Sequence, residues 1–206
     1  MAITTYAELK TAIAEWLNRD DLTSTIPDFI TLAEESMALN MRHWRMENRA
    51  TATLDSQYEA LPARFVAPIR LSLTGGNTYA LEQVSQAQLL DRRSQASNTA
   101  GRPQYYALTQ GEIEVFPTPD ADYTLELVYY EKAEALSDSN TTNWLLTNYP
   151  SVYLYGSLVH TAPFLKDDPR LQTWGTLYQT AVAAVNQDEQ NAKTSGSGAT
   201  IKIRSY

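Results

Sequence analysis

The sequence contains no cysteine, which excludes disulfides and every thiolate metal site. It has two histidines, His43 and His160, which lie far apart and form neither an HExxH nor an HxH arrangement. A zinc centre would need carboxylates for most of its ligands, and zinc rarely uses them so. Long apolar runs are missing too. None approaches the ~18 residues that cross a bilayer, and the opening MAITTYAELK lacks the basic start and apolar core of a signal peptide. Neither a membrane partner nor export is expected. Cations are in the minority, 16 against 24 acidic residues, for a net charge of −8. Duplex DNA is held chiefly by neutralising its phosphates, so this chain should not grip it. An acidic surface suits DNA that must slide past.

What is present fits a globular chain. Its 206 residues, 43% hydrophobic and 19% charged, can build one compact domain or two small ones sharing a core. Tyrosine is the excess, 13 residues against four phenylalanines and four tryptophans. Tyrosine is favoured both in protein–protein interface cores and on β-sheet faces. Composition leaves both readings open.

Helical signals stand at the two ends. Thr5-x-x-Glu8 is a capping box, followed by an apolar stripe of Leu9, Ile13, Trp16 and Leu17. A second helix starts at Ile26-Pro27-Asp28, with Ile30, Ala33, Met37, Met41 and Trp44 at helical spacing. A third is predicted over VYLYGSLVHTAPFLK, and a fourth from Asp168-Pro169 to about Ala192 with Leu171, Trp174, Tyr178, Ala181 and Val185 in phase. Between them the pattern changes to β. About three strands are expected before Val84, with Pro62 and Pro68 confining them to edges or bends and Gly75-Gly76-Asn77 marking a turn. Ser85-x-x-Gln88 caps a short helix to about Arg93, and Ser94–Arg102 reads as an exposed loop. Segments 105–108, 112–116 and 123–130 alternate faces between turns and predict an antiparallel meander. The fold class is α+β. A helical bundle comes from both chain ends (1–44 and 144–193), a β-rich insertion with one short helix fills 45–143, and a tail occupies 194–206.

Chemistry is sparse. Glu112 and Glu114 alternate with Ile113 and Val115 on one strand face, the position of an acid–base pair or of a solvated face. Asp167-Asp168 and Asp20-Asp21 sit where helix caps belong. Glu34 and Glu35 diverge around one helix. His160 reads as a core histidine, and His43 as a helix-end residue that satisfies carbonyls. Arg42-His43-Trp44-Arg45, with Arg49, interleaves cations and an aromatic like a small nucleic-acid patch, but beside Glu47 in an acidic chain an intersubunit or structural role is expected. Gly75-Gly76 has no phosphate-loop lysine after it, and no GxSxG is present. No catalytic residue, metal or cofactor is expected. A carboxylate-dependent tail-associated hydrolase and a small sugar-binding tail module are the rival functions.

Several segments together carry a resemblance. TYAELKTAIAEWLNRDDL, IPDFITLAEESMALNMR, GRPQYYAL, GEIEVFPTPDADYTLELVYYEKAEAL and LLTNYPSVYLYGSLVHTAPFLKDDPRL are similar to head-to-tail adaptor proteins of short-tailed bacteriophages. The most specific parts are Gly101-Arg102-Pro103-x-x-Tyr106 and Glu114-Val115-Phe116-Pro117-x-Pro119-Asp120. The resemblance implies a virion structural protein, made in the host cytoplasm and placed at the head–tail interface. It implies a ring, typically of twelve copies, which joins the portal to the tail nozzle or fibres and passes double-stranded DNA without sequence-specific contact. The β-rich insertion would embrace the neighbouring subunit, with Tyr105, Tyr106, Phe116, Tyr129 and Tyr130 as interface candidates. In such adaptors the tail reaches the portal. Here Gly196 and Gly198 form a flexible link. Beyond it, Ile201 and Ile203 alternate with Lys202 and Arg204 before Tyr206, a pattern suited to strand addition on a partner's sheet edge.

Overall fold

The first helix begins where its cap stands. In the computed structural model, which describes residues 2–19, 21–76, 78–96, 100–165 and 168–195, α1 spans Tyr6–Leu17. The Glu8 amide donates to Thr5 Oγ1 at 3.3 Å, and the Glu8 carboxylate accepts the Thr5 amide at 3.0 Å. The Thr4 hydroxyl also donates to Glu8, at 2.7 Å, and is the first cause holding that carboxyl below its ordinary value. Asn18 ends the helix at a φ of 54°, a left-handed turn that asparagine tolerates. Leu9, Ile13 and Leu17 are buried as expected, but Trp16 is 43% exposed. The stripe runs off the last turn there, and the indole meets the Tyr155 ring edge-on at 5.7 Å.

Helix α2, Ile26–Asn40, carries Pro27 in its first turn and buries Ile26, Phe29, Ile30, Ala33 and Met37. The stripe predicted to continue to Trp44 stops at Asn40. Met41 is extended, and Trp44 lies in a short 3-10 turn, Trp44–Met46, at 44% exposure. Arg42 Nη1 folds back onto the open carbonyls of Ala38 (3.0 Å) and Met41 (2.6 Å).

The β elements follow: β1 (Glu47–Leu54), β2 (Tyr58–Ala60), β3 (Phe65–Thr74), β4 (Tyr79–Ala80), β5 (Glu82–Gln83), α3 (Gln86–Gln95), β6 (Tyr105–Thr109), β7 (Glu112–Phe116) and β8 (Tyr123–Glu131). One sheet has the order β1-β8-β3-β4, the other β2-β7-β6-β5, with β5 and β6 parallel and the remaining neighbours antiparallel. Their inner faces share one core that includes Leu54, Leu71, Leu73, Tyr106, Ile113, Val115, Leu125, Leu127 and Tyr129. The three-stranded meander is corrected to a β6–β7 hairpin, with β8 in the other sheet. Pro117 and Pro119 cannot donate to a ladder, so pairing stops after Phe116. Nine-residue β8 instead pairs along its length with β1 and β3. Pro68 sits where expected, at a register shift in β3, on a stretch with only β8 alongside. The capping box of Ser85 and Gln88 starts α3.

The remaining helices are α4 (Trp144–Asn148), α5 (Pro150–Val159) and α6 (Arg170–Thr194). The third long helix, predicted through residue 166, stops at Val159. Pro163 lacks an N–H and its ring would strike the carbonyl four residues back, that of Val159. His160 therefore caps the helix half-buried, not inside the core, and burial lowers its pKa.

The chain divides into two compact units, a helical one from Met1–Met46 with Ala133–Tyr206 and a β-rich one of Glu47–Lys132. In the helical unit α5 touches α1, α2, α4 and α6. Segment 133–143 has no regular structure and is tied down by polar side chains. Glu34 Oε1 accepts the Leu136 amide at 2.8 Å, while Asn143 Nδ2 donates to the Glu134 carbonyl and the Tyr153 hydroxyl, both at 2.7 Å.

Candidate functional site

Helix α3 lays Arg93 against β7. Its Nη2 donates to Glu114 Oε1 at 2.9 Å and to the Val115 carbonyl at 3.2 Å, and Nη1 donates to Thr118 Oγ1 at 3.3 Å. Gln57 Nε2 donates to the same Glu114 oxygen at 2.8 Å. Glu112 and Glu114 thus do not form the matched face that strand alternation suggests. Glu112 is exposed, whereas Glu114 is buried and neutralised because α3 covers that part of β7. An ion-paired carboxylate held by an amide and a guanidinium positions a helix; it is poorly placed to shuttle protons.

The aromatic residues expected at a subunit interface separate into two groups. Tyr106, Phe116 and Tyr129 are buried in the cores of their own unit. Tyr105 and Tyr130 are half-buried, and the Arg92 guanidinium lies 3.9 Å from the centre of the Tyr105 ring. The latter pair keeps part of its surface exposed. Residues 201–206, expected to form the portal-docking strand, lie outside the described residues.

In the helical unit the cluster around His43 differs from its sequence reading. The imidazole is fully buried and stacks on Trp144, with ring centres 5.1 Å apart and planes at 20°. Trp44 and Tyr149 lie at 5.5 and 5.9 Å. His43 satisfies no helix-end carbonyl, because Arg42 already does. Its Nδ1 accepts the Arg45 amide at 3.1 Å, which assigns the proton to Nε2, and Nε2 faces Asp188 Oδ2 at 3.3 Å. The Tyr149 hydroxyl donates to that same oxygen at 2.6 Å. With one ring nitrogen accepting a backbone N–H and the other donating to Asp188, the imidazole has no free lone pair with which to act as a base. The cluster fastens α6 to the segment that follows α2, reinforced by Asn186, which accepts the Arg42 amide at 3.0 Å.

This cluster sets a pH dependence. Burial, followed by the bond to Asp188, pushes the Tyr149 phenol up to about 12. The Tyr149 hydroxyl, followed by His43, holds Asp188 below its ordinary value of 3.8. A raised phenol stabilises the fold fully below pH 10 and loses that contribution as pH rises from 10 to about 12; the depressed carboxylate contributes above pH 3.8 and loses it below. Thermal unfolding across pH is expected to show both losses, and Tyr149→Phe is expected to shrink both. Identical profiles for wild type and variant would contradict this.

The basic patch does not survive folding as a patch. Arg42 caps α2, the Arg45 guanidinium lies over Trp44 at 4.9 Å, and Arg49 pairs with Glu126 at 3.2 Å. Asp168 accepts the Arg170 amide at 2.9 Å and pairs with its guanidinium at the start of α6, while Asp167 lies outside the described residues. Among the described residues no three His, Asp or Glu side chains gather to hold a metal. An open groove of about 450 Å³ runs along α6 between Asn40, Val159, Gly175, Tyr178, Val182 and Asn186, and no carboxylate or cation lines it. The Arg93 and His43 clusters thus fasten elements within their own units.

The family model described as SU10 adaptor protein matches residues 4–201, spanning both units. The chain belongs to that family. None of the curated proteins compared with it matches. Membership makes the adaptor a phage structural component, in line with the resemblance carried by the Gly101–Tyr106 and Glu114–Asp120 motifs. No helix among its described residues is long and apolar enough to cross a membrane. The Arg93–Glu114 pair and the His43–Asp188 contact were not legible in the sequence. Their partners lie 21 and 145 residues apart with no spacing rule to join them.

Proposed function

We propose that the adaptor assembles as a ring, typically of twelve copies, at the virion's head–tail joint, connecting the capsid portal to the tail nozzle or fibres and extending the DNA channel. The observation that carries this reading is the family match over residues 4–201, which includes helical and β-rich units alike. The β-rich unit, Glu47–Lys132, is the arm that embraces a neighbour, with Tyr105 and Tyr130 as contact residues. The net charge of −8 supports a channel that DNA traverses without being held. Portal attachment falls to Ile201, Lys202, Ile203, Arg204 and Tyr206, whose alternation suits addition to a sheet edge. Deleting residues 200–206 is expected to weaken co-sedimentation with the cognate portal while the isolated chain keeps its helical circular-dichroism signal. Undiminished attachment would remove the tail from this role.

A further inference from the structure

Strand β1 is an edge left open. It is outermost in its sheet, so among the described residues β8 is the strand that pairs with it. That register runs unbroken from Glu47 to Leu54, and residues 50–54 carry neither charge nor proline. Edge strands are ordinarily blunted by a charge, a proline or a bulge. The Arg49 amide donates away from the ladder, to Asn48 Oδ1 at 2.8 Å. By alternation the backbone groups of Thr51 and Thr53, both exposed, also point away from β8.

Between β1 and β2 lies a cleft of about 40 Å³, roughly three waters' worth, lined by Ala50 and Ala52 of β1, Ala60 of β2, and Ile113 and Leu127 from the core. Glu59 lines it too, and its register opposite the buried Ile113 turns it to the inward face. Among the described residues Glu59 has neither a hydrogen-bond nor an ion-pair partner, and nor does Asp55, exposed at the end of β1. An open edge, an apolar gap and an unmatched carboxylate on the gap's own face specify an occupant by pattern and charge. It is an extended segment whose gap-facing side chains, two residues apart, are one aliphatic and one cation. A second copy fits poorly, because pairing edge to edge would set its Glu59 and Asp55 beside these, carboxylate against carboxylate. We propose that the β1 edge is a docking site for a basic strand of another protein, whose aliphatic side chain fills the gap and whose lysine or arginine pairs with Glu59. The proposal does not rest on the ring reading.

The probe is a synthetic peptide, acetyl-TITKT-amide, which places isoleucine and lysine on one face and threonines on the other. Added to the full chain at about 1 mM, it is expected to slow hydrogen exchange of the Thr51 and Thr53 amides about twofold, the change for a site half occupied. The Ala50 and Ala52 amides, already in the ladder, should not respond. Acetyl-TITET-amide should leave Thr51 and Thr53 unchanged, and Glu59→Lys should reverse the preference between the two peptides. No slowing by the lysine peptide would overturn the proposal, as would equal slowing by both. Sedimentation of the free chain covers the remaining occupant: a dimer that Thr51→Pro dissociates would assign the edge to a second copy and overturn the proposal as stated. Portal attachment is measured separately by co-sedimentation, so its failure and the failure of this site are distinguishable.

Discussion

Replacing Gly156 by valine is expected to cost the helical unit about 3 kcal/mol, because the substitution overpacks a joint of three helices. A Cβ at position 156 of α5 would lie 3.0 Å from Tyr178 Cε2, 3.3 Å from Ala33 Cβ and 3.3 Å from Met37 Cε. Those atoms belong to α6 and α2. Ala33 is on a buried helix face and cannot retreat, so the cost falls on the spacing of the helices. Alanine at 156 should cost less, since the gain of roughly 1 kcal/mol in helix propensity offsets part of the clash. Gly175, in α6, is the control: nothing lies within 4 Å of its Cβ position, so Gly175→Ala should stabilise by about 0.5–1 kcal/mol. Urea unfolding followed by helical circular dichroism distinguishes them. A Gly156→Val midpoint equal to wild type would contradict the packing described here.

The second large effect belongs to the β-rich unit. Arg93→Ala is expected to cost about 3–5 kcal/mol, since it leaves a buried carboxylate without its cation. Glu114 is 9% exposed, and after loss of Arg93 it would keep the Gln57 amide as its donor. Removing both charges as Arg93→Met with Glu114→Met should restore most of that stability, because the burial of an ion pair contributes little net free energy while a lone buried charge costs much. Unfolding of the double variant at or below the midpoint of Arg93→Ala would show that the network contributes more than charge matching.

These residues also mark where the sequence was readable. Thr5 with Glu8 and Ser85 with Gln88 announced α1 and α3, because a capping box is local and its signal lies within four residues. Pro68 announced an irregular strand for the same reason. The end of α5 was equally legible in Pro163, but the apolar run through Leu165 masked it; steric exclusion outweighs hydrophobic pattern at such a position. The meander failed because strand alternation says which face a residue takes and not which strand lies alongside. Glu114 and His43 were misread for a related reason. Their surroundings come from α3 and α6, elements placed by the tertiary fold, so a charged residue in an alternating strand took the solvent reading by default. The family, by contrast, was legible in the motifs from Gly101 to Asp120, since they combine turn, proline and strand residues in a fixed order.

The adaptor reading stands or falls on assembly. The most direct test mixes the purified protein with its cognate portal and determines the mass and symmetry of the product by electron cryo-microscopy. A closed ring of the chain seated on the portal, with the channel continuous through both, is the expected result. A chain that stays monomeric and leaves the portal bare would contradict it.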